Sequence, residues 1–598
     1  MRSTAVTSRS WQAPAGTWRY LANVSTIFAL GLGLAAIQLV PSLEIARVST
    51  RAHLDFATFA RASLPLRQLP ELIFPYAYGG AFSSTLSAPY FGHRNQTELT
   101  GYVGLLPLVL AGIGAARGTD RRMRRFWSLT AVAGLLLSLG SEVPLAALLF
   151  RVPGYNLFRA PARHLLEFSL AISVLGGLGT ASLAEMSAAR RRRALVRAAL
   201  ALVAIVAISW LAFWQLLVTG SLSAAMAAIH AQGVAASPWN NPAIALPIVQ
   251  LAIALTTVFF LGRRFDAASS TLLVAALVAD LGTFGRLAPW RASAWGPSIL
   301  QIPAPLSPYL RRLAESGQRL TSISGSRIAA DLDAAPANYH LLWRLSSVVG
   351  YNPLVIARYR GLTDIRAHGF SSFHSLRTED RGLDILASRY VLVPKDVLRQ
   401  GAGGFRPEVL TNLEHGRFVR IDELPSSFVY ENQHALPRAW IVQRVLRLPP
   451  AAIRKAIRTS SLPDGQAYDP ATTALIERPV HLDPEAGDFH AAVHLVRLSD
   501  TEVELSTEST ANAFLVVSDI YYKGWRVFLD DRPVEVYLAD YVLRGLELPA
   551  GRHSVRFEFR PASYRLGTAV SCASLLCWAG LLVGSIAGTR PAPSFPAM

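Results

Sequence analysis

Two short stretches of this 598-residue chain carry side chains whose type and spacing suit chemistry at a membrane face. The first is Glu98-Leu99-Thr100-Gly101-Tyr102-Val103-Gly104, a carboxylate and a phenol at the start of an apolar run. A carboxylate in that position can act as a general base or bind a metal at the lipid–water boundary. The alternative is a solvated acid at a helix N-terminus, favoured by the helix dipole. The second stretch runs from Pro153 to His164 and places Arg159, Arg163 and His164 at the expected outer membrane face, where the positive-inside bias asks for no cations. Guanidinium groups bind phosphate oxygens in pairs, so a polyprenyl-phosphate headgroup suits them. Snorkelling to ordinary lipid phosphates is the competing reading. With Tyr102 lining the same cavity, Arg159, Arg163 and His164 form the expected lipid-phosphate site, and Glu98 is the expected catalytic carboxylate.

Other features carry less. Asp280 lies near the outer end of an apolar run with Arg286 six residues later, a functional carboxylate or a helix-end ion pair. Phe74-Pro75-Tyr76-Ala77-Tyr78-Gly79-Gly80 and Tyr90-Phe91-Gly92 suit an interfacial belt of aromatic rings and tight turns. Asn95-Gln96-Thr97 matches a glycosylation acceptor by chance. No phosphate-cradling glycine loop, nucleophile elbow or zinc signature is present. The two cysteines, Cys572 and Cys577, share the last apolar block and form neither a metal spacing nor a disulfide framework.

The elements that must hold these residues are membrane helices. The chain is 51% hydrophobic and only 16% charged, against about 25% charged in an average soluble domain. Its net charge of +18 clusters beside apolar blocks, at Arg121–Arg125, Arg190–Arg193 and Arg263–Arg264. That is the placement the positive-inside rule produces, and no aromatic-interleaved basic motif points to nucleic acid. Three lysines, Lys395, Lys455 and Lys523, among 58 basic residues suggest a GC-rich bacterial genome.

The apolar pattern predicts about eight transmembrane helices, near 21–40, 101–116, 126–139, 163–184, 198–218, 241–261, 268–284 and 564–587. The first is expected to end before Pro41, and 141–162 to be re-entrant or interfacial. The fold class is therefore a polytopic α-helical membrane protein with a mixed α/β and β-sandwich extracytoplasmic domain. Residues 1–287 form the membrane domain with outward loops 42–100 and 141–162. An α/β region follows at 288–480, then a β-sandwich at 481–563, then the final helix and cytoplasmic tail at 564–598. Seven short strands separated by turn signals between 491 and 559 carry the sandwich assignment. Both termini and all three arginine clusters then fall in the cytoplasm of a bacterial inner-membrane protein.

Several stretches resemble the bacterial YfhO family of polytopic membrane proteins: "YFGHRNQTELTGYVGLLPL", "VPGYNLFRAPARHLLEFSLA", "GYNPLVIARY", "ALPRAW" and "VVSDIYYKGWRVFLDDRPVEVYLADYVLRGLELPAGRHSVRFEFRPASYRLG". That family is similar to glycosyltransferases of the C fold superfamily. The resemblance implies a sugar taken from a polyprenyl-phosphate donor outside the cytoplasm, often with a divalent metal, and passed to an envelope glycan or lipid acceptor. Family members carry further helices before the segment resembling residues 26–60. The resemblance therefore implies a chain that lacks those amino-terminal helices, and Glu44, Asp55, Glu71 and Glu98 do not equate with the superfamily's catalytic acid. The alternative reading is a non-catalytic envelope protein whose exported domain binds glycan or a partner.

Overall fold

The computed structural model describes residues 15–52, 54–76, 78, 96–218, 242–287, 300–323, 333, 335, 338–363, 365, 369, 376–395, 413, 416–480, 482 and 488–588. The chain divides into two compact units, one made of residues 53–296 and the other of 1–52 together with 297–598.

The 53–296 unit is helical, with long helices at Leu105–Arg117, Arg121–Ser138, Leu165–Glu185, Ala188–Val218, Pro242–Arg263 and Ala267–Leu287. Local chemistry sets several ends. Asp120 starts one helix by accepting the Arg122 and Met123 N–H groups at 2.8 and 3.1 Å, relieving donors that have no partner inside the helix. Helix Ala188–Val218 begins ten residues before the expected 198, because Arg190–Arg193 are good helix formers and simply extend the apolar run. At the centre lies Leu105–Arg117. Leu105, Leu106, Val109, Leu110 and Ile113 join one apolar cluster, and Ala111 joins another with Leu165, Phe168, Ala171 and Leu175.

Among the described residues, five helical stretches are long and apolar enough to cross a membrane, or six if a bent pair counts as one span. The expected count of about eight is thus unconfirmed. Of the remaining expected positions, Leu105–Arg117 has only 13 residues, about 20 Å against a hydrocarbon core of about 30 Å. Arg121–Ser138 is 18 residues long and begins with four arginines in five positions. The first expected span also differs. Its helix breaks between Leu34 and Ala36 with a 72° bend, and Pro41 lies inside the second half without ending it. The Ser571 hydroxyl, from the last helix, accepts the Ile37 N–H at 2.9 Å and donates to the Leu34 carbonyl at 2.9 Å. It thus satisfies backbone groups that the break frees.

The other unit is rich in sheet. A four-stranded sheet runs in the order Arg319–Ser322, Ser388–Pro394, Ser427–Asn432, Phe418–Glu423. A six-stranded sheet runs Ala439–Val442, Ala513–Ile520, Leu543–Leu548, Tyr537–Ala539, Thr473–Ile476, Arg444–Arg447. A five-stranded sheet runs Arg532–Val534, Trp525–Leu529, Gly551–Phe559, Glu502–Ser509, Ala491–Leu498. The last two sheets pack face to face: Leu515, Val517, Leu546 and Leu548 meet Val503, Leu505, Val527, Val555 and Phe557 in one core. The intervening residues Phe514, Val516 and Leu543 point the other way, onto Ile453, Ala456 and Ile457 of helix Pro450–Thr459. Each such side chain contributes about 1.5–3 kcal/mol of apolar burial, and strand Ala513–Ile520, covered on both faces, reads as a near-continuous apolar run.

Three strands of the six-stranded sheet precede residue 481, so the α/β region and the sandwich share a sheet where the sequence suggests a boundary. Those strands are four residues each, too short for the pattern to mark. Where seven short strands are expected between 491 and 559 there are eight, because the chain breaks after Val534 into the short strands Arg532–Val534 and Tyr537–Ala539.

Candidate functional site

Within the helical unit, two short turns carry the expected site. Gln96–Leu99 holds Glu98, and Pro161–His164 holds Arg163 and His164. Each is pinned by a neighbour that is wholly buried, Leu99 and Ala162, in one cluster with Leu64, Val103 and Leu165. The Ala162 N–H also donates to the Ala62 carbonyl at 3.2 Å. With the backbones so fixed, Arg163 Nη2 donates to Glu98 Oε1 at 2.9 Å, with the two side chains 61% and 33% exposed. A pair this open adds at most about 1 kcal/mol to stability, so its interest is chemical: a carboxylate and a guanidinium presented side by side to solvent.

His164 lies between two polar partners. Its Nε2 is 2.7 Å from the Tyr155 hydroxyl and its Nδ1 is 3.3 Å from Glu167 Oε1, with the Tyr155 and His164 rings nearly parallel. That bridge orients the imidazole and ties it to the helix beginning at Leu165. Arg159 is half-buried in the segment leading to Arg163.

Tyr102 is placed differently from the expectation that it lines the same cavity. It is buried, and its hydroxyl donates to Asp280 Oδ1 at 2.6 Å and approaches Gln250 Oε1 at 3.3 Å. Asp280 also accepts the Leu105 N–H at 3.1 Å through Oδ2, capping the central helix from a neighbouring one. Gly104 makes this possible. Its φ is +89°, and an added Cβ would lie 2.9 Å from Asp280 Oδ2. Asp280 is thus a helix cap; the side chain of Arg286, like Tyr90-Phe91-Gly92 and Asn95, lies outside the described residues.

A carboxylate to which the sequence assigns no role is Glu71. It is 3% exposed, its Oε2 accepts from Gln68 Nε2 at 3.1 Å, and its Oε1 has no hydrogen-bond partner among the described residues. Burial pushes its pKa up to about 8, opposed by the Gln68 hydrogen bond, which leaves a neutral carboxyl at pH 7. An acid flanked by Leu69-Pro70 and Leu72-Ile73 is the signal that was there to be read.

As for the implied divalent metal, no three His, Cys, Asp or Glu side chains converge among the described residues. Glu98 has a guanidinium beside it rather than further carboxylates. These residues do not make a metal site, and no step is derived through one.

No curated protein matches the chain. The cryo-EM structure of the arabinofuranosyltransferase AftD from Mycobacteria is similar over 92% of this chain at 12% identity, with a TM-score of 0.32. This chain covers 42% of that one, less than half its length. A protein-family model does match, at residues 486–571, from just before the strands of the five-stranded sheet into the last helix, and the family is that of the bacterial membrane protein YfhO.

Proposed function

We propose that the chain is a membrane glycosyltransferase, or the carboxy-terminal part of one, transferring a sugar from a polyprenyl-phosphate donor to a cell-envelope acceptor. The observation that supports this most is the solvent-accessible Glu98–Arg163 pair, held between apolar helices by buried neighbours. In this reading an acceptor hydroxyl attacks the anomeric carbon of the donor sugar while Glu98 takes its proton. The bond from that carbon to the phosphate oxygen breaks, and the departing phosphate keeps the electron pair. Arg163, with Arg159 and His164 nearby, offsets the charge that grows on it. Arg163 thereby exchanges Glu98 for the phosphate, freeing the carboxylate to act as base. The setting is a bacterial inner membrane, with the arginine clusters and both termini cytoplasmic and the sheet-rich region outside, as the positive-inside bias favours.

The test is sugar transfer from a polyprenyl-phosphate-linked donor by the purified chain in lipid nanodiscs. Glu98→Gln is expected to lower kcat by about 10²–10⁴, the range for a lost general base. Arg163→Met should raise the donor KM. Full activity in Glu98→Gln would remove Glu98 from the mechanism. Absence of transfer by the unaltered chain, with retention on an envelope glycan, would favour a binding protein instead.

A further inference from the structure

At one end the core of the sandwich stops being apolar. Along strand Ala513–Ile520 Leu515 and Val517 face the second sheet, and Asp519 follows where the register with Leu543–Leu548 shifts between Val517 and Ile520. Along Leu543–Leu548 the residues on that face are Leu548, Leu546 and then Arg544, in keeping with the two-residue period of a strand. Asp519 is surrounded by cations. Its Oδ1 accepts from Arg319 Nη2 at 2.8 Å and Arg438 Nη2 at 2.6 Å, and its Oδ2 lies 3.1 Å from Arg544 Nη2.

Three guanidiniums therefore share one carboxylate, and all four side chains are nearly closed to solvent, from 3% to 12% exposed. Arg319 spends its remaining donors on Leu386 O and on the Ser518 hydroxyl and carbonyl, and Arg438 donates to Gly317 O. Among the described residues the Nε of Arg438 and the Nε and Nη1 of Arg544 have no hydrogen-bond partner, and the Arg544 guanidinium lies 3.7 Å from the centre of the Trp525 ring. Burial lowers the pKa of both Arg319 and Arg544 to about 10, so both stay charged at neutral pH.

Among the described residues two of these buried positive charges have no counterion, an arrangement that costs several kcal/mol unless an anion is nearby. Arg319, Arg544, Asp519 and Trp525 line a cavity of about 980 Å³. Its other walls include Glu44 on helix Ala36–Val48 and Tyr564 on the last helix. Glu44 accepts from the Tyr522 hydroxyl at 2.9 Å, and Asp500 lies exposed at the edge of the cavity.

We propose that this cavity binds a phosphate-bearing polyol headgroup: the phosphate on the Arg319–Arg544 end, where three guanidiniums share one carboxylate, and the hydroxyls on Glu44 and Asp500. Guanidiniums from separate strands suit a tetrahedral anion, which offers oxygens in several directions. Two carboxylates away from the arginines would repel a second phosphate but accept hydroxyl donors. The ligand is either a membrane lipid reached past the last helix or a free polyol phosphate.

The experiment is calorimetric titration of the full chain, in nanodiscs of phosphatidylcholine, with dihexanoyl phosphatidylglycerol and with glycerol phosphate. Both are expected to bind. At least tenfold tighter binding of the lipid assigns a membrane source, and equal affinities a soluble one. Arg544→Met should weaken both at least tenfold. Because that variant leaves Asp519 with one cation fewer and risks misfolding, Leu354→Trp, which fills the cavity wall from a loop, is the second variant and should block both ligands. Failure of the unaltered chain to bind either ligand, or full binding by a folded Leu354→Trp, would overturn the assignment. The readout is binding alone, so it stands or falls separately from sugar transfer at Glu98.

Discussion

A single carboxyl illustrates how burial controls charge in the sheet-rich unit. Asp540 is fully buried in the turn after strand Tyr537–Ala539, with φ of +43° at Asp540 and +72° at Tyr541. Its Oδ1 accepts from the Leu475 N–H at 2.9 Å and the Tyr468 hydroxyl at 3.1 Å, while Oδ2 has no partner among the described residues. Burial raises its pKa from 3.8 to about 7, against the lowering effect of those two hydrogen bonds. Between those values the folded chain holds a proton that the unfolded chain has released. Stability contributed by this group is therefore present at acid pH and is lost as pH rises through about 7. Asp540→Asn cannot ionise, so its Tm is expected to change less than that of the unaltered chain between pH 5 and 8. Equal slopes in thermal melts of the two proteins would contradict this. At this scale the sequence exposes residues out of place: Glu98, Arg163 and His164 stand out because they occur where sidedness does not ask for charge. Asp519 and Arg544 are also charges inside apolar strands, but nothing in their spacing assigns them a role. What the sequence does not carry is the pairing. Tyr102 finds Asp280 across 178 residues, and Arg319 finds Asp519 across 200, contacts fixed by packing and by no local pattern.

Elements were legible where the apolar pattern is long and illegible where packing overrides it. Helices stand at every expected position, yet Leu105–Arg117 is a short central post whose two sides are both covered by protein. Hydropathy cannot separate burial in lipid from burial in protein, so a 13-residue post and a full span look alike. Its seat against Leu165–Glu185 is made by two glycines. A Cβ on Gly114 would lie 2.0 Å from the Leu175 carbonyl oxygen, and one on Gly179 would lie 2.0 Å from that of Leu110. Both obstacles are backbone, so neither can rotate away, and the helices must part. Close helix contacts through small residues are a usual means of packing in membranes. Gly179→Ala is expected to destabilise by at least about 1–3 kcal/mol, the range for overpacking, and to lower the thermal midpoint in detergent. Gly177→Ala, with nothing within 4 Å of the added carbon, is the control and should leave it unchanged. Equal midpoints for the two variants would show that the helices do not touch there.

For the whole molecule, the chain's ends belong to one unit although more than five hundred residues separate them. The broken first helix and the last helix are in backbone contact: a Cβ on Gly567 would lie 2.5 Å from the Ala36 carbonyl oxygen, and Ser571 bonds to both sides of the break. This association could not be read from the sequence. Each apolar run shows that it is to be buried but is silent on its partner, and the break at Leu34–Ala36 has no proline to announce it; Pro41 comes later, inside the helix. It matters to function because the cavity proposed for a phosphorylated headgroup has walls from both of these helices, so the segment before residue 53 completes a site whose cations come from the other end of the chain. The geometry can be locked. A Cβ built on Gly33 lies 3.0 Å from the Ser574 Cβ, within a small adjustment of the roughly 3.5–4.5 Å that a disulfide spans. In a background with Cys572→Ala and Cys577→Ala, the pair Gly33→Cys and Ser574→Cys is expected to oxidise readily in the membrane. After proteolytic cleavage between the two helices, the fragments should migrate together without reductant and apart with it. Fragments that separate under both conditions would mean that the two helices are not neighbours, and the cavity would then lose the wall that carries Glu44.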